Sequence, residues 1–135
     1  MRPGSVIWVE FDPVSGREQG GRRPAVVVSS ADHLTAATAL VTVVPATSKD
    51  RDWPNHVLLM GSIGLPVPTL AMTEQVRTIA RERVVGEVGN VEAECFATIC
   101  QWVHRWLAPG RVQAGTRRRP PPGNAQTRLG VVSVV

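Results

Sequence analysis

Six polar residues of one short stretch, Asp12, Arg17, Glu18, Gln19, Arg22 and Arg23, flank the adjacent glycines Gly20 and Gly21. The stretch runs from an alternating segment, Ile7 to Phe11, into an apolar one, Ala25 to Ser29. Such a loop can set a cation, a carboxylate and several backbone N–H groups at the mouth of a small barrel, an arrangement suited to gripping a phosphate backbone. A solvated hairpin loop explains the charges of this loop taken alone. Two features favour chemistry. Arg23 abuts Pro24 at the strand entry, so its backbone is more constrained than the loop tip. A second segment, Val43-Val44-Pro45-Ala46-Thr47-Ser48, ends in hydroxyls where another loop begins. An arginine beside a hydroxyl is a competent oxyanion or phosphate clamp, because guanidinium bonds phosphate oxygens bidentately.

Other chemistries find no support. His33, His56 and His104 are scattered, and no Cys/His spacing matches a zinc pattern. A G-x-S-x-G elbow and a Walker A loop are absent, and glycines 16, 20 and 21 do not form G-x-G-x-x-G. His56 and His104 read as structural or solvated. No metal and no cofactor is expected.

The elements that must position the clamp are short. Val6 to Phe11 alternates, with Val6, Trp8 and Glu10 on one face and Ile7, Val9 and Phe11 on the other. Ala25 to Ser29 is continuously apolar, as in a strand covered on both faces. Residues 30–38 suit a short helical turn. Ala39 to Val44 reads as a third strand ended by Pro45, Thr47 to Asn55 as a charged loop, and His56 to Met60 as a fourth strand. A turn-rich stretch, Gly61 to Pro68, precedes short strands at 71–73, 76–80 and 84–88. One helix is expected, from within Asn90–Glu92 to about Leu107, where Phe96, Ile99, Cys100, Val103 and Leu107 keep helical spacing. The expected fold is mainly β (α+β), five to seven short strands in a small curved barrel with an amphipathic helix against it.

The net charge of +4 suggests nucleic acid until it is located. Five of the fifteen basic residues (Arg111, Arg117, Arg118, Arg119 and Arg128) follow Leu107, where no Asp or Glu occurs. The ten that remain face eleven Asp and Glu, so residues 1–107 must meet any polyanion through a local patch. One domain over 1–107 and an Arg/Pro-rich, disordered tail over 108–135 are expected. Cys95 and Cys100, on one helix, would stand about 140° apart around its axis, poorly placed to bridge. Unpaired thiols, no signal-like start and no run of ~18 apolar residues make a cytoplasmic protein without a membrane span the expectation.

Five motifs, in this order, carry a resemblance. They are Gly4-Ser5-Val6-Ile7-Trp8-Val9-Glu10-Phe11-Asp12-Pro13, the Gly16…Glu18-Gln19 loop, Arg23-Pro24-Ala25-Val26-Val27-Val28-Ser29, Val44-Pro45-Ala46-Thr47-Ser48, and Glu74-Gln75-Val76-Arg77-Thr78-Ile79. Together they resemble the MazF/PemK toxins of bacterial toxin–antitoxin pairs across roughly residues 1–107. The resemblance implies an SH3-like barrel that dimerises, cleaves single-stranded RNA at short sequences without a metal, and is blocked by a cognate antitoxin protein. It matches Arg23 to the family's catalytic arginine, Thr47 to its catalytic threonine and Glu18 to an assisting loop glutamate. The implied reaction is attack by the ribose 2′-OH on the adjacent phosphorus, leaving a 2′,3′-cyclic phosphate and a 5′-hydroxyl. The nucleophile then belongs to the substrate, and the protein orients it and stabilises charge.

Contacts to RNA are expected from Arg17, Gln19 and Arg22 of the first loop, from Ser48, Lys49 and Trp53 of the second, and from Gln75 and Arg77 of the last motif. Arg22 doubles the cation before the proline and suits a second phosphate contact. Ser48 is a substitute hydroxyl or a turn residue. Trp53 suits stacking on a splayed base and equally a hydrophobic plug. For Gln75 and Arg77, packing near a dimer seam is favoured over base readout. A gyrase-binding toxin of the same barrel (CcdB-like) and an inactive family member are the competing readings.

Overall fold

The computed structural model describes residues 1–11 and 21–109. The alternating segment forms β1 (Ser5–Phe11), which lies between β2 (Gly21–Val27) and β7 (Val84–Asn90). Next to β2 runs β3 (Leu40–Thr47). The far edge of β3 is shared between two partners. Leu40 to Val43 pair with β6 (Arg77–Ala80), and Ala46 and Thr47 pair with β5 (Leu70–Met72). β4 (His56–Leu58) completes the order on β5. Every pairing is antiparallel, so the described residues form a seven-stranded, strongly bent sheet.

Both faces of the central strands are covered, as the apolar run after Pro24 predicts. Val6, Val26, Val44 and Ala46 lie in one buried cluster with Leu59, Ala71 and Val91, against Cys95 and Ile99 of α2 (Ala93–Leu107). Ile7, Val9, Phe11, Ala25, Val27, Val41, Val43 and Ile79 fill a second cluster on the opposite face. Short strands suffice here because the central ones are buried on both faces. A short helix, α1 (Ala31–Ala36), links β2 to β3, and the Ser30 side chain caps it by accepting from the His33 N–H at 3.0 Å. Its Leu34 packs at the edge of the second cluster.

Among the strand boundaries that differ from the sequence reading, two bear on the site. β2 begins at Gly21 rather than Ala25, so both arginines sit on a strand: Arg22 faces Glu10 in register and Arg23 faces Val9. β3 runs through Pro45 to Thr47 instead of stopping at it. The pairs with β6 end at Val43 and those with β5 begin at Ala46, so the ring falls where that edge changes partner and its missing N–H costs no ladder bond. This continuation delivers Thr47 to the strand end.

β7 carries two register irregularities against β1, and each leaves a valine over. Ile7 pairs with Glu87 while Val6 pairs with Gly89, and Trp8 pairs with Gly86 while Val9 pairs with Val84. The extra residues, Val88 and Val85, are exposed. The turn at 61–64 then lies directly on the end of β7, where the Asn90 N–H donates to the Ser62 carbonyl at 2.9 Å. Gly89 permits this approach, since a Cβ there would stand 2.2 Å from the Ser62 oxygen. The chain continues into α2, and just before it the Glu92 N–H donates to the Met60 carbonyl at 2.8 Å. That contact also draws Met60 away from β4, which is shorter than the expected 56–60. Cys95 and Cys100 share this helix as unpaired thiols, and burial pushes both thiol pKa values up. Among the described residues no helix is long and apolar enough to cross a membrane. The tail from residue 110 onward and the loop of residues 12–20 lie outside the described residues.

Candidate active site

Arg23 and Thr47 meet because β2 and β3 are neighbours and Arg23 precedes the Ala25–Pro45 pair that joins them. Both line a cavity of about 300 Å³ together with Trp8, Arg22, Ala46 and Ser48, and residues 65–67 form its far wall. The Arg23 guanidinium is half-buried and donates through Nη1 to the Ala46 carbonyl at 3.5 Å. Burial, first, and the like charge of Arg51, second, lower its pKa from the ordinary arginine value. An arginine so treated remains a cation at neutral pH but is poorly hydrated, which strengthens its pull on an incoming anion. The Thr47 Oγ1 accepts from the Lys49 N–H at 3.1 Å, a local turn that fixes the side chain and leaves its own O–H proton to donate. Among the described residues no three His, Cys, Asp or Glu side chains gather as metal ligands.

Arg51 is the residue that sequence reasoning passed over. It sits in the loop that starts at Thr47, and its charge reaches Arg23. Its guanidinium lies 6.0 Å from the centre of the Trp53 ring. The signal was the order Thr47…Arg51-x-Trp53: a hydroxyl at a strand end, followed within one loop by a cation and an aromatic.

That loop is anchored from beneath. Trp53 is half exposed, and its ring leans on His56 at 4.8 Å between centroids and 52° between planes. The His56 side chain is 1% exposed and bonds through Nε2 to both Glu74 oxygens, at 3.0 and 3.1 Å. Glu74 also accepts from Asn55 Nδ2 at 2.8 Å, and Thr73 Oγ1 donates to the Asn55 carbonyl at 2.7 Å. His56 Nδ1 is buried and has no partner among the described residues, so the ring is held through Nε2. Burial works to raise the Glu74 pKa, but the hydrogen bonds from His56 and the backbone outweigh it and hold the carboxyl below its usual range. Trp53 is therefore supported by His56, neighboured by Arg51, and half exposed.

The other expected contacts divide. Arg22 and Ser48 border the cavity with Arg23 and Thr47, and Arg22 also pairs with Glu10 at 3.3 Å on the surface. Lys49 is exposed in the loop beyond, and it does not line the cavity. Gln75 occupies a 3-10 turn (Thr73–Gln75) and turns its amide to Met72 Sδ at 3.7 Å and Glu74 Oε2 at 3.5 Å. Arg77 opens β6 and lies over the Phe11 ring at 5.0 Å. Packing thus accounts for Gln75 and Arg77 within one protomer. Arg17, Glu18 and Gln19 lie outside the described residues.

Residues 2–107 match the model of the PemK-like, MazF-like toxins of type II toxin–antitoxin systems. The chain belongs to that family. It is 42% identical over 105 residues to "Endoribonuclease MazF9" of Mycobacterium tuberculosis, covering 73% of this chain and 89% of the relative. It is 38% identical over 92 residues to "Endoribonuclease toxin MazF" of Escherichia coli K12, covering 67% and 79%. Among solved structures, MazF of Deinococcus radiodurans superposes with a TM-score of 0.68 at 30% identity, over 79% of this chain and 96% of that one. A MazE–MazF complex from the same organism gives 0.65 at 28% identity, over 79% and 95%. The MazF fold, and with it the toxin endoribonuclease class, is therefore common ground between this chain and proteins that share between a quarter and two fifths of its residues.

Proposed function

We propose that this MazF-family endoribonuclease cleaves single-stranded RNA by transesterification, with Arg23 and Thr47 as its catalytic pair. The supporting observation is the cavity in which a poorly hydrated guanidinium and a fixed threonine hydroxyl converge, with a second cation, Arg51, close enough to act on Arg23. The ribose 2′-hydroxyl gives up its proton as its oxygen bonds to phosphorus, the P–O5′ bond breaks, and the departing 5′-oxygen takes up a proton; the dianionic phosphorane between these events carries the charge that Arg23 binds. Thr47 donates to a non-bridging oxygen. Glu18 joins the pair as the assisting carboxylate. Each preorganised donor of this kind contributes about 10²–10³ in rate. Arg22 and Ser48 hold phosphates beside the reacting one, and Trp53 offers its half-exposed ring to a base.

The protein acts as a homodimer bound and silenced by a cognate antitoxin. The structures of MazE with MazF from Deinococcus radiodurans support the antitoxin. Leu58, Met60 and Val67, each about half exposed, give an apolar surface for a second subunit or the antitoxin to cover. Gel filtration at twice the monomer mass is the expected result.

The deciding experiment is incubation of the purified protein with a long single-stranded RNA in EDTA, followed by mapping of the ends. Cuts at one short motif, with 2′,3′-cyclic phosphate and 5′-hydroxyl termini and none from Arg23→Ala, are expected. An uncut RNA with a folded protein would sink the reading and turn attention to gyrase binding.

A further inference from the structure

Trp8 stands in the middle of a three-strand row. In register its neighbours are Pro24 on β2 and Gly86 on β7. Gly86 has no side chain to cover the indole, and a Cβ there would meet nothing within 4 Å among the described residues. The Gly86 flank of the half-buried ring is therefore open among those residues. On the Pro24 side lies the cavity that holds Arg23 and Thr47. On the Gly86 side lies a second cavity, of about 310 Å³, bounded by Trp8, Arg22, Val85 and Gly86. Trp8 and Arg22 border both, so the two cavities are successive compartments of one groove.

The second compartment is shaped by the sheet itself. The bulge in β7 makes Val85 the extra residue opposite Trp8 and Val9, and its side chain is 49% exposed beside the indole. Bulges next to sites re-aim side chains in this way. Among the described residues that bound it, Arg22 supplies the charge. Its ion pair with Glu10 is 3.3 Å long between half-exposed side chains, a pairing worth little in water, so the guanidinium can turn to an anion at small cost. An aromatic face, an apolar wall and a cation together are the equipment by which single-stranded nucleic acid is held through the face of a base.

We propose that this compartment is a nucleobase slot: a base next to the scissile phosphate stacks on Trp8 against Val85 and Gly86, while Arg22 holds the phosphate between the two compartments. The inference rests on the nuclease reading and adds a subsite to it. Val85 and Gly86 present no polar side chain, so the slot grips a base by its face and supplies affinity without choosing its identity.

Gly86→Val tests this without disturbing the core, because its side chain enters open space. The substrate is a short oligoribonucleotide spanning a mapped cut, with an abasic ribose placed in turn at each flanking nucleotide. Gly86→Val should keep the wild-type Tm and raise KM by about tenfold with kcat nearly unchanged, the loss of one stacked base. One abasic position should raise the wild-type KM similarly and add nothing in Gly86→Val, since the two changes remove the same contact. Trp8→Phe should fall between. Binding is read separately by anisotropy of the labelled oligoribonucleotide on Arg23→Ala, with and without Gly86→Val, and a tenfold weaker Kd for the double variant is expected whether or not the wild type cuts. Wild-type KM and Kd in the Gly86→Val proteins, or equal abasic effects in both, overturn the slot. So does a Gly86→Val protein that loses its dimer or its antitoxin while still cutting RNA normally, which would assign the groove to a protein partner. Failure of the wild type to cut anything defeats the nuclease reading and leaves the anisotropy result to decide the slot.

Discussion

Gly89→Ala and Gly86→Ala add the same methyl group to the same strand, and the structure calls for opposite outcomes. At Gly89 the new Cβ would lie 2.2 Å from the Ser62 carbonyl oxygen and 2.5 and 2.6 Å from the carbonyl carbon and oxygen of Ile63. All three are backbone atoms, so no rotamer change relieves the overlap. A tolerable C···O approach is about 3.3 Å, which obliges the 61–64 turn to withdraw by roughly 1 Å. Withdrawal strains or breaks the 2.9 Å bond from the Asn90 N–H to Ser62. Overpacking of this sort costs about 1–3 kcal/mol, and a lost backbone bond adds about 1 kcal/mol, so about 3 kcal/mol is expected. At about 4 °C per kcal/mol for a domain near 100 residues, Tm should fall by roughly 12 °C. At Gly86 the Cβ has no neighbour within 4 Å, and Tm should stay within about 2 °C of wild type. Thermal unfolding followed by circular dichroism, with urea titration to separate stability from a change in m, measures both. A Gly89→Ala protein melting within 3 °C of wild type, or a Gly86→Ala protein as unstable as its partner, would refute the packing of the 61–64 turn on the end of β7 described above. The same turn leads to the 65–67 wall of the catalytic cavity, so Gly89→Ala should also cut RNA more slowly at temperatures where it remains folded.

Glu74→Gln should lose about 1–3 kcal/mol at pH 7, because buried His56 keeps only a neutral acceptor in place of the carboxylate. The sign with pH follows from the lowered Glu74 pKa: its stabilisation is complete above the ordinary carboxylate value and disappears as pH falls through the depressed one, so the variant's deficit should shrink in acid melts. Arg51→Ala should weaken RNA binding, reduce the slope of log Kd against log salt by about 0.7, and leave the unfolding free energy within about 0.5 kcal/mol of wild type; an unchanged slope would show that Arg51 meets no phosphate. Arg23→Lys keeps a charge but not the planar fork, and kcat should drop at least tenfold with the 5′-hydroxyl and cyclic phosphate ends retained. Equal rates for lysine and arginine would show that only net charge matters at that position.

Much of this molecule is written in local pattern. The alternation of Val6 to Phe11, the unbroken run after Pro24 and the helical spacing of Phe96, Ile99 and Val103 each specify an element, because burial on one face or two imposes its own period on the chain. The order of five short motifs was enough to place the chain among the MazF and PemK toxins, and so to point to Arg23 and Thr47. What local pattern does not carry is which residues end up back to back. Pro45 reads as a strand end, yet it sits inside β3, because only the sheet reveals that the strand changes partners there. His56 reads as an isolated histidine, yet Glu74, eighteen residues on, makes it the foundation of the Trp53 loop. Arg51 carries no periodic signal, since loop residues answer to no repeating burial, and its reach to Arg23 depends on where β3 and β2 release the chain. Trp8 alternates like any strand residue, and only the register that seats it beside Gly86 leaves that flank of its ring uncovered by a neighbouring side chain. The sequence by itself determined the order of the elements and the family, and it singled out the two residues proposed as the clamp. The tertiary structure alone decided what surrounds them, because strand pairing brings together residues tens of positions apart whose identities place no constraint on one another along the chain.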